Sequence, residues 1–424
     1  MKRNLPVRPD RIESDIDALA AITEPDRPWT RRAFSPLYLE GRDYLARRFR
    51  EAGLEVRIDA AGNLIGRRPG KAGKGTIMLG SHSDTVPAGG RFDGIAGVVA
   101  ALEVARALDE AGIVLDHDLE IVDFLAEEVS IFGVSCIGSR GMTGARPSDW
   151  LERQADGMTL ADGIRGVGGD PVGTSGRADI AAFLELHIEQ GPVLETERID
   201  IGVVTAIAGI TRIEIRLDGR ADHAGTTPMG ARRDALAAAA RIVHGIEDVA
   251  AALARGPSHF VATVGEFSIE PNAANVVPSH ARLLIDARAE DPAVMLEFRD
   301  AIAELCATVC DRAGVALASL RTISDNPATP MAARCVALLE AAAADVGATT
   351  RRMVSGAGHD AAFLARVAPA AMVFIRCTGG RSHAPEEWAD IDDIALGAAT
   401  LYNAVILIDR QPARDIADNT DNIR

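Results

Sequence analysis

Cysteine is scarce in this sequence and scattered. The five cysteines, Cys136, Cys306, Cys310, Cys335 and Cys377, include no CxxC pair, which argues against a disulfide framework and against a thiolate metal cluster. Reduced thiols in a cytoplasmic protein are the expectation, with Cys306 and Cys310 on one face of a helix. Positive charge is also in deficit. Lys and Arg number 45 against 61 Asp and Glu, a formal net charge of −16, so neither nucleic acid nor an anionic membrane is an expected partner, because phosphate binding rests on surplus cations. No uninterrupted apolar run approaches the ~18 residues of a membrane span, and the opening MKRNLPVRPDRIESD lacks the apolar core of a signal peptide. No period of about 20 to 50 residues recurs, which argues against solenoids and propellers.

What the sequence does have is a set of strand-like segments tipped with metal-type ligands. With 424 residues, 47% hydrophobic and 25% charged, the chain can build two globular domains. The rest is organised around Gly80 to Gly97, GSHSDTVPAGGRFDGIAG. The preceding TIML (76–79) is a short, partly β-branched apolar run of the kind that forms a buried parallel strand. His82 and Asp84 would then emerge at its carboxyl end, where open α/β sheets bind ligands. Two residues apart, they share one side of an extended segment, which suits one as a metal ligand and the other as the carboxylate orienting its imidazole. Asp93 follows a Pro/Gly-rich turn and stands before an expected helix, GIAGVVAALEVARAL. In isolation, a motif of this kind reads first as a solvated turn with a capping Asp93. The segments downstream overturn that reading.

LEIVDFL (119–125) ends in Ala126-Glu127-Glu128, and paired acids at the end of a buried strand are costly unless a metal or a proton compensates them. One ligand and one general base is the expected division. AFLELHIEQG (182–191) delivers His187, Glu189 and Gln190 in the same way, and AAMVFI (370–375) leads through Gly379-Gly380-Arg381-Ser382 to His383. Around these strands, 10–23, 37–52, 331–346 and 392–408 read as helices, and LEVRIDAAGNLIGRRPG as a hairpin turning at Gly62-Asn63. Residues 138–179 read as loops with one or two short helices, and SGAGHDAAFLARV as a Gly-rich loop entering a helix. GVVTAIAG (202–209) reads as a small-residue joint. From 210 the order becomes β-α-β-β-α-β, the split pattern of a ferredoxin-like sandwich. The expected fold class is α/β: a mixed-sheet domain from 1–209 and 327–424, with an inserted ferredoxin-like α+β domain over 210–326.

Collected, the strand ends supply His82, Asp93, Glu127, Glu128, His187 and His383. Three imidazoles and three carboxylates fit two divalent ions about 3.5 Å apart, with Asp93 bridging. Such ligands suit Zn, Mn, Co or Ni. One carboxylate is then left as a base that takes a proton from water and returns it to a leaving nitrogen.

GSHSDTVPAGGRFDGIAG, Glu127-Glu128, LELHIEQGPVLE, GRADHAGTTPM, PNAANVVP, DAR, SGAGHDA and GGRSHAPEEW resemble, in order, the motifs of M20-type dinuclear metallohydrolases. The match is to the amidase branch of N-carbamoyl-L-amino acid hydrolases, β-ureidopropionases and allantoate amidohydrolases, over about residues 40 to 410. The resemblance implies a dinuclear-metal catalytic domain, an inserted dimerisation and lid domain, two divalent ions per subunit and a small anionic ureido-acid substrate. It implies that His82, Asp93 and His187 hold one ion and Asp93, Glu128 and His383 the other. Glu127 would be the general base and Asp84 the partner of His82. In this family the inserted domain pairs two subunits and lends residues to the neighbouring site, so His223 would stabilise the oxyanion across a homodimer interface. Asn275 and Arg288 would clamp the substrate carboxylate, the guanidinium bidentately. Gln190 and the 356–359 loop, including Gly358, would line the pocket. His244, His259 and His280 match no motif and read as structural.

The sequence departs from the family in three places. After the acidic pair the family commonly has Gly-Ser-Arg-Phe, where Val129-Ser130-Ile131-Phe132 stands here; Ser83 and the Ile375-Arg376-Cys377-Thr378 segment also differ, so an altered substrate pocket is expected. The implied activity is hydrolysis of the ureido C–N bond of an N-carbamoyl-L-amino acid, releasing amino acid, carbon dioxide and ammonia. The alternatives are an allantoate amidohydrolase, a dinuclear metallopeptidase, and a non-catalytic binder of carboxylated ligands. The Asn275/Arg288 pair and LELHIEQG favour the ureido-acid branch over peptidases, and an intact Glu127 with a full ligand set argues against a silent binder.

Overall fold

A computed structural model describes residues 5–173 and 176–411. The chain divides into two compact units, one built from the segments up to Thr205, Pro330–Met353 and from His359 onward, the other from Ala206–Thr329 with Val354–Gly358. The second unit thus begins and ends a few residues outside the expected 210–326 and adds a short later loop.

Among the described residues, the larger unit is built on a nine-stranded mixed sheet. Its centre consists of four adjacent parallel strands, in spatial order Asp118–Phe124, Thr76–His82, Ile180–Ile188 and Ala370–Ile375. These are the apolar runs of the sequence, and they are buried almost throughout, as parallel strands covered on both faces must be. Register brings their carboxyl ends level: His82 lies opposite Phe124 and Phe374 opposite His187. The Glu55–Ile58 and Leu64–Arg68 hairpin extends one side of the sheet in antiparallel register. Helix Ile95–Glu110 is apolar nearly all round and buried from Ile95 to Leu108, as a helix enclosed on every side requires. Helix Ile391–Asp409 is long and apolar enough to cross a membrane, but 72% of its apolar window is buried inside the protein.

Two segments differ from expectation. The 202–209 joint is largely strand, Ile201–Ile207, antiparallel to Ala370–Ile375; Ile201, Val203, Val204 and Ile207 outweigh the small residues between them. Thr350–Ser355 is a strand paired with Ile201–Ile207, where polar residues had hidden the pattern.

The second unit carries a four-stranded antiparallel sheet in the order Phe260–Glu270, His280–Ala289, Gly209–Asp218, Ala316–Asn326. Helices Ala235–Leu253 and Pro292–Ala313 pack on it, giving the expected β-α-β-β-α-β succession. Alternate residues Ile213, Ile215 and Leu217, with Leu283 and Ile285, enter its core beside Phe260 and Phe298. Between them in sequence, Glu214 meets Arg216, Arg282 and Arg321 at 2.7–2.9 Å, the polar alternation of a half-buried sheet.

Candidate metal centre

Each of the four central parallel strands delivers a side chain at its carboxyl end, and local geometry aims it. His82 Nδ1 lies 3.0 Å from the Asp84 carbonyl and His187 Nδ1 2.9 Å from the Ile188 carbonyl. A carbonyl only accepts, so both Nδ1 atoms carry the proton and both Nε2 lone pairs are left for a metal. This differs in one respect from expectation. The Asp84 carboxylate stands 3.6 Å from His82 Nδ1 and accepts instead from the backbone N–H groups of Glu127 and Glu128, each at 3.2 Å. It thereby holds the acidic pair in place. Ala126, Gln190 and His383 all have left-handed φ, from 51° to 55°. Such conformations cost non-glycine residues energy and cluster where chain direction is dictated by function.

Asp93 is held by a different device. Gly94 has φ 66° and ψ −45°, and Ile95 N–H donates back to the Asp93 carbonyl at 2.7 Å, a positive-φ γ-turn that only glycine adopts readily. The same turn brings the backbone against the imidazole: a Cβ on Gly94 would lie 2.4 Å from His82 Nε2.

Two triads converge on Asp93, and both can hold a metal ion: His82, Asp93 and His187; and Asp93, Glu128 and His383. His187 Nε2 is 3.1 Å and His82 Nε2 3.6 Å from Asp93 Oδ1, while His383 Nε2 is 3.0 Å from Oδ2 and 3.1 Å from Glu128 Oε1. One carboxylate oxygen therefore serves each triad. The first triad is fully enclosed; the second opens to solvent through His383, whose side chain is 50% exposed.

The donor set fits divalent cations. His82 Nε2 is buried and lacks a hydrogen-bond partner, so an imidazole lone pair is spent on nothing else. Burial alone would disfavour charge on His82 and His187, yet the facing carboxylates hold both imidazoles above their ordinary range. Contact with Asp93 and Glu128 pushes His383 up to about 10. These groups demand positive charge at the site, supplied by protons or by metal. Glu127 is different. Burial, with the charges of Glu128, Asp360 and Asp84 added, pushes its carboxyl well above the ordinary range against the pull of His82. Its Oε2 lies 3.7 Å from His82 Nε2, and Cys136 Sγ approaches Oε1 at 3.4 Å.

The other expected site residues fall into two groups. Gln190 lies in the larger unit, its amide nitrogen donating to Asp93 Oδ2 at 2.9 Å and to Ser382 Oγ at 3.1 Å. His223, Asn275, Arg288 and Gly358 belong to the second unit. His223 is exposed, and its Nδ1 accepts from the Gly225 and Thr226 N–H groups at 3.0 and 3.2 Å, so its proton resides on Nε2. Arg288 donates to Asp286 at 2.8 Å and to the Gly356 carbonyl at 2.5 Å. Asn275 and Gly358 are exposed. Among the departures, Val129 is 64% exposed, Ile131 packs against an apolar cluster that includes Phe34 and Phe132, and Arg376 is paired with Asp393. Sequence reading gave no role to Glu387, which accepts from the N–H groups of Phe92 and Asp93 at 2.9 and 3.0 Å. Its place inside GGRSHAPEEW was the available signal.

A shared carboxylate between two ligand triads, an uncommitted glutamate beside them, and adjacent parallel strand ends as the platform define the class, a hydrolase built around ligands for divalent metal. The model of peptidase family M20/M25/M40 matches residues 78–406, and the chain belongs to that family. Its homologues lie in the N-carbamoyl amino-acid amidohydrolase/carbamoylase branch. The chain is 37% identical over 408 residues to an N-carbamoyl-L-amino-acid amidohydrolase of Paenarthrobacter aurescens, covering 95% of this chain and 98% of the relative. It is also 37% identical to the allantoate amidohydrolase of Escherichia coli K12, with 92% and 95% covered. A crystal structure of an amidase of the hydantoinase/carbamoylase family from Burkholderia multivorans superposes with a TM-score of 0.89 at 36% identity, with 96% and 99% covered.

Proposed function

We propose that this hydrolase cleaves the ureido C–N bond of an N-carbamoyl-L-amino acid or a similar ureido acid. Water adds to the ureido carbonyl, the bond to the amino-acid nitrogen breaks, and that nitrogen takes a proton; the carbamic acid released falls apart to carbon dioxide and ammonia. The observation that carries the reading is the buried Glu127, free of both triads yet beside His82.

Two divalent ions held by His82, Asp93, His187, Glu128 and His383 would polarise the carbonyl and acidify a water. The raised carboxyl of Glu127 suits a group that takes a proton at neutral pH and gives it back within one turnover. His223, with its proton on Nε2, is assigned as the donor to the developing oxyanion, contributed from the other subunit of a homodimer. Arg288 spends two of its five N–H donors on Asp286 and Gly356, and the remaining fork, with Asn275, is assigned to the substrate carboxylate.

The test is ammonia release by metal-reconstituted protein from N-carbamoyl-L-amino acids, N-carbamoyl-β-alanine, allantoate and a dipeptide. Chelator-sensitive release from a carbamoyl acid is the expected result. Release from allantoate alone would transfer the assignment to the allantoate branch, and peptide cleavage alone, scored as free amine, would refute it.

A further inference from the structure

Glu387 has no part in either triad, yet its carboxylate joins the two loops that meet at the exposed one. Oε1 accepts from the N–H groups of Phe92 and Asp93 at 2.9 and 3.0 Å, and Oε2 accepts from Ser382 Oγ at 2.7 Å. Ser382 precedes His383. Its hydroxyl has one proton, and the 2.7 Å contact to Glu387 competes with one of 3.3 Å to Asp93 Oδ2, so the proton goes to Glu387. The hydroxyl oxygen then accepts from Gln190, whose amide also donates to Asp93 Oδ2. A closed circuit thus runs from Glu387 through Ser382 and Gln190 to the one oxygen of Asp93 that faces His383.

The site for this carboxylate is built. Glu387 is 1% exposed, and a Cβ on Gly90 would lie 1.8 Å from its Oε1, so glycine is required for the carboxylate to reach the turn. The side-chain contacts of this circuit end on Asp93 Oδ2 and on Ser382 beside His383, while its two backbone contacts hold the Phe92 and Asp93 N–H groups. The ring nitrogens of His82 and His187 are oriented independently, by the carbonyls of Asp84 and Ile188.

We infer that Glu387 is a positioning residue that acts chiefly on the outer metal position, fixing the geometry between Asp93 Oδ2 and His383. The inference rests on the dinuclear reading above. Partners outside the ligand shell are worth about 10–100-fold in metal affinity, and here that effect falls on one ion of two.

The experiment is a calorimetric titration of chelator-stripped protein with Co2+, followed in parallel by visible absorption. Wild type takes two equivalents. In Glu387→Ala one equivalent weakens about 10–100-fold while the other stays within about 3-fold. Gly90→Ala gives the same split with the carboxylate present but displaced. Glu387→Gln, whose amide oxygen can still accept from both N–H groups, restores most of the lost affinity. Equal weakening of both equivalents, or two equivalents at wild-type affinity in both Glu387→Ala and Gly90→Ala, overturns the inference. If Glu387→Ala does not fold, Gly90→Ala and Ser382→Ala decide by the same split. Fewer than two equivalents in wild type overturns the dinuclear reading itself.

Discussion

Replacing Gly94 by Ala adds one methyl group at the place where the Asp93 turn crosses the face of His82. Two costs follow. The first is local: a residue with a Cβ held at φ 66° and ψ −45° pays about 1–3 kcal/mol for a conformation natural to glycine. The second is functional. The new Cβ would stand 2.4–2.5 Å from three atoms of the His82 ring, against the ~3.5 Å at which carbon atoms rest, so the ring must retreat by roughly 1 Å. Metal–ligand distances tolerate about 0.2 Å, so an ion held by the inner triad would lose a ligand. A 100-fold loss of affinity removes about 2.7 kcal/mol of the stabilisation that excess metal gives. The assay is thermal unfolding with and without excess Co2+, alongside the count of bound ions. In Gly94→Ala the metal-free Tm falls modestly and the metal-induced rise in Tm shrinks. Gly112→Ala is the control, because Gly112 has φ 64° with nothing within 4 Å of its added Cβ; it pays the backbone cost and keeps the full metal response. A Gly94→Ala protein with two bound ions and an undiminished metal-induced rise would refute the reasoning.

Glu127→Gln keeps both ions and lowers kcat about 10²–10⁴-fold, the range for loss of a general base; unchanged turnover would remove Glu127 from that role. Metal affinity rises with pH. The imidazole of His383, raised from 6.5 to about 10 by Asp93 and Glu128, holds a proton that an ion must displace, so affinity climbs by up to tenfold per pH unit until about pH 10 and then levels. The same raised value stabilises the metal-free fold fully below about pH 6.5, a contribution lost as pH climbs through 10; calorimetry with Co2+ at several pH values, in buffers of different ionisation heat, reads the proton released. Phe298→Ala empties a fully buried position against Phe260 and destabilises the second unit by about 3–5 kcal/mol. Every ligand lies in the other unit, so ion content by elemental analysis stays at wild type.

Much of this centre was legible in the sequence because its ligands are tied to strand ends. TIML, LEIVDFL, AFLELHI and AAMVFI announce buried strands by composition, and a parallel order puts all four carboxyl ends on one side, so His82, Glu128, His187 and His383 needed no long-range contact to be grouped. Asp93 was legible through its glycine-rich surroundings. What stayed hidden depends on atoms that pattern does not carry. Spacing points to the Asp84 carboxylate as the group that orients His82, whereas the Asp84 carbonyl does so and the carboxylate serves two backbone amides. Nothing in the pattern says that Gln190, expected to line the pocket, also donates to Asp93. Glu387 could not be chosen over its neighbour Glu386 without knowing that Gly90 leaves room for it. Arg376, one of the departures from the family pattern, is tied up with Asp393.

The order in which ligands occur along the chain has a consequence for how metal is acquired. His82, Asp93, Glu128 and His187 all precede the inserted unit, and His383 follows it. During synthesis, which proceeds from the amino terminus and lets early segments fold first, the inner triad is complete in sequence while the outer one still lacks a member. An ion captured by the nascent chain would therefore have only the inner triad open to it. The outer triad is complete only when Ala370–Ile375 has joined the sheet beside Ile180–Ile188, so an ion held there would report that the last central strand is in place.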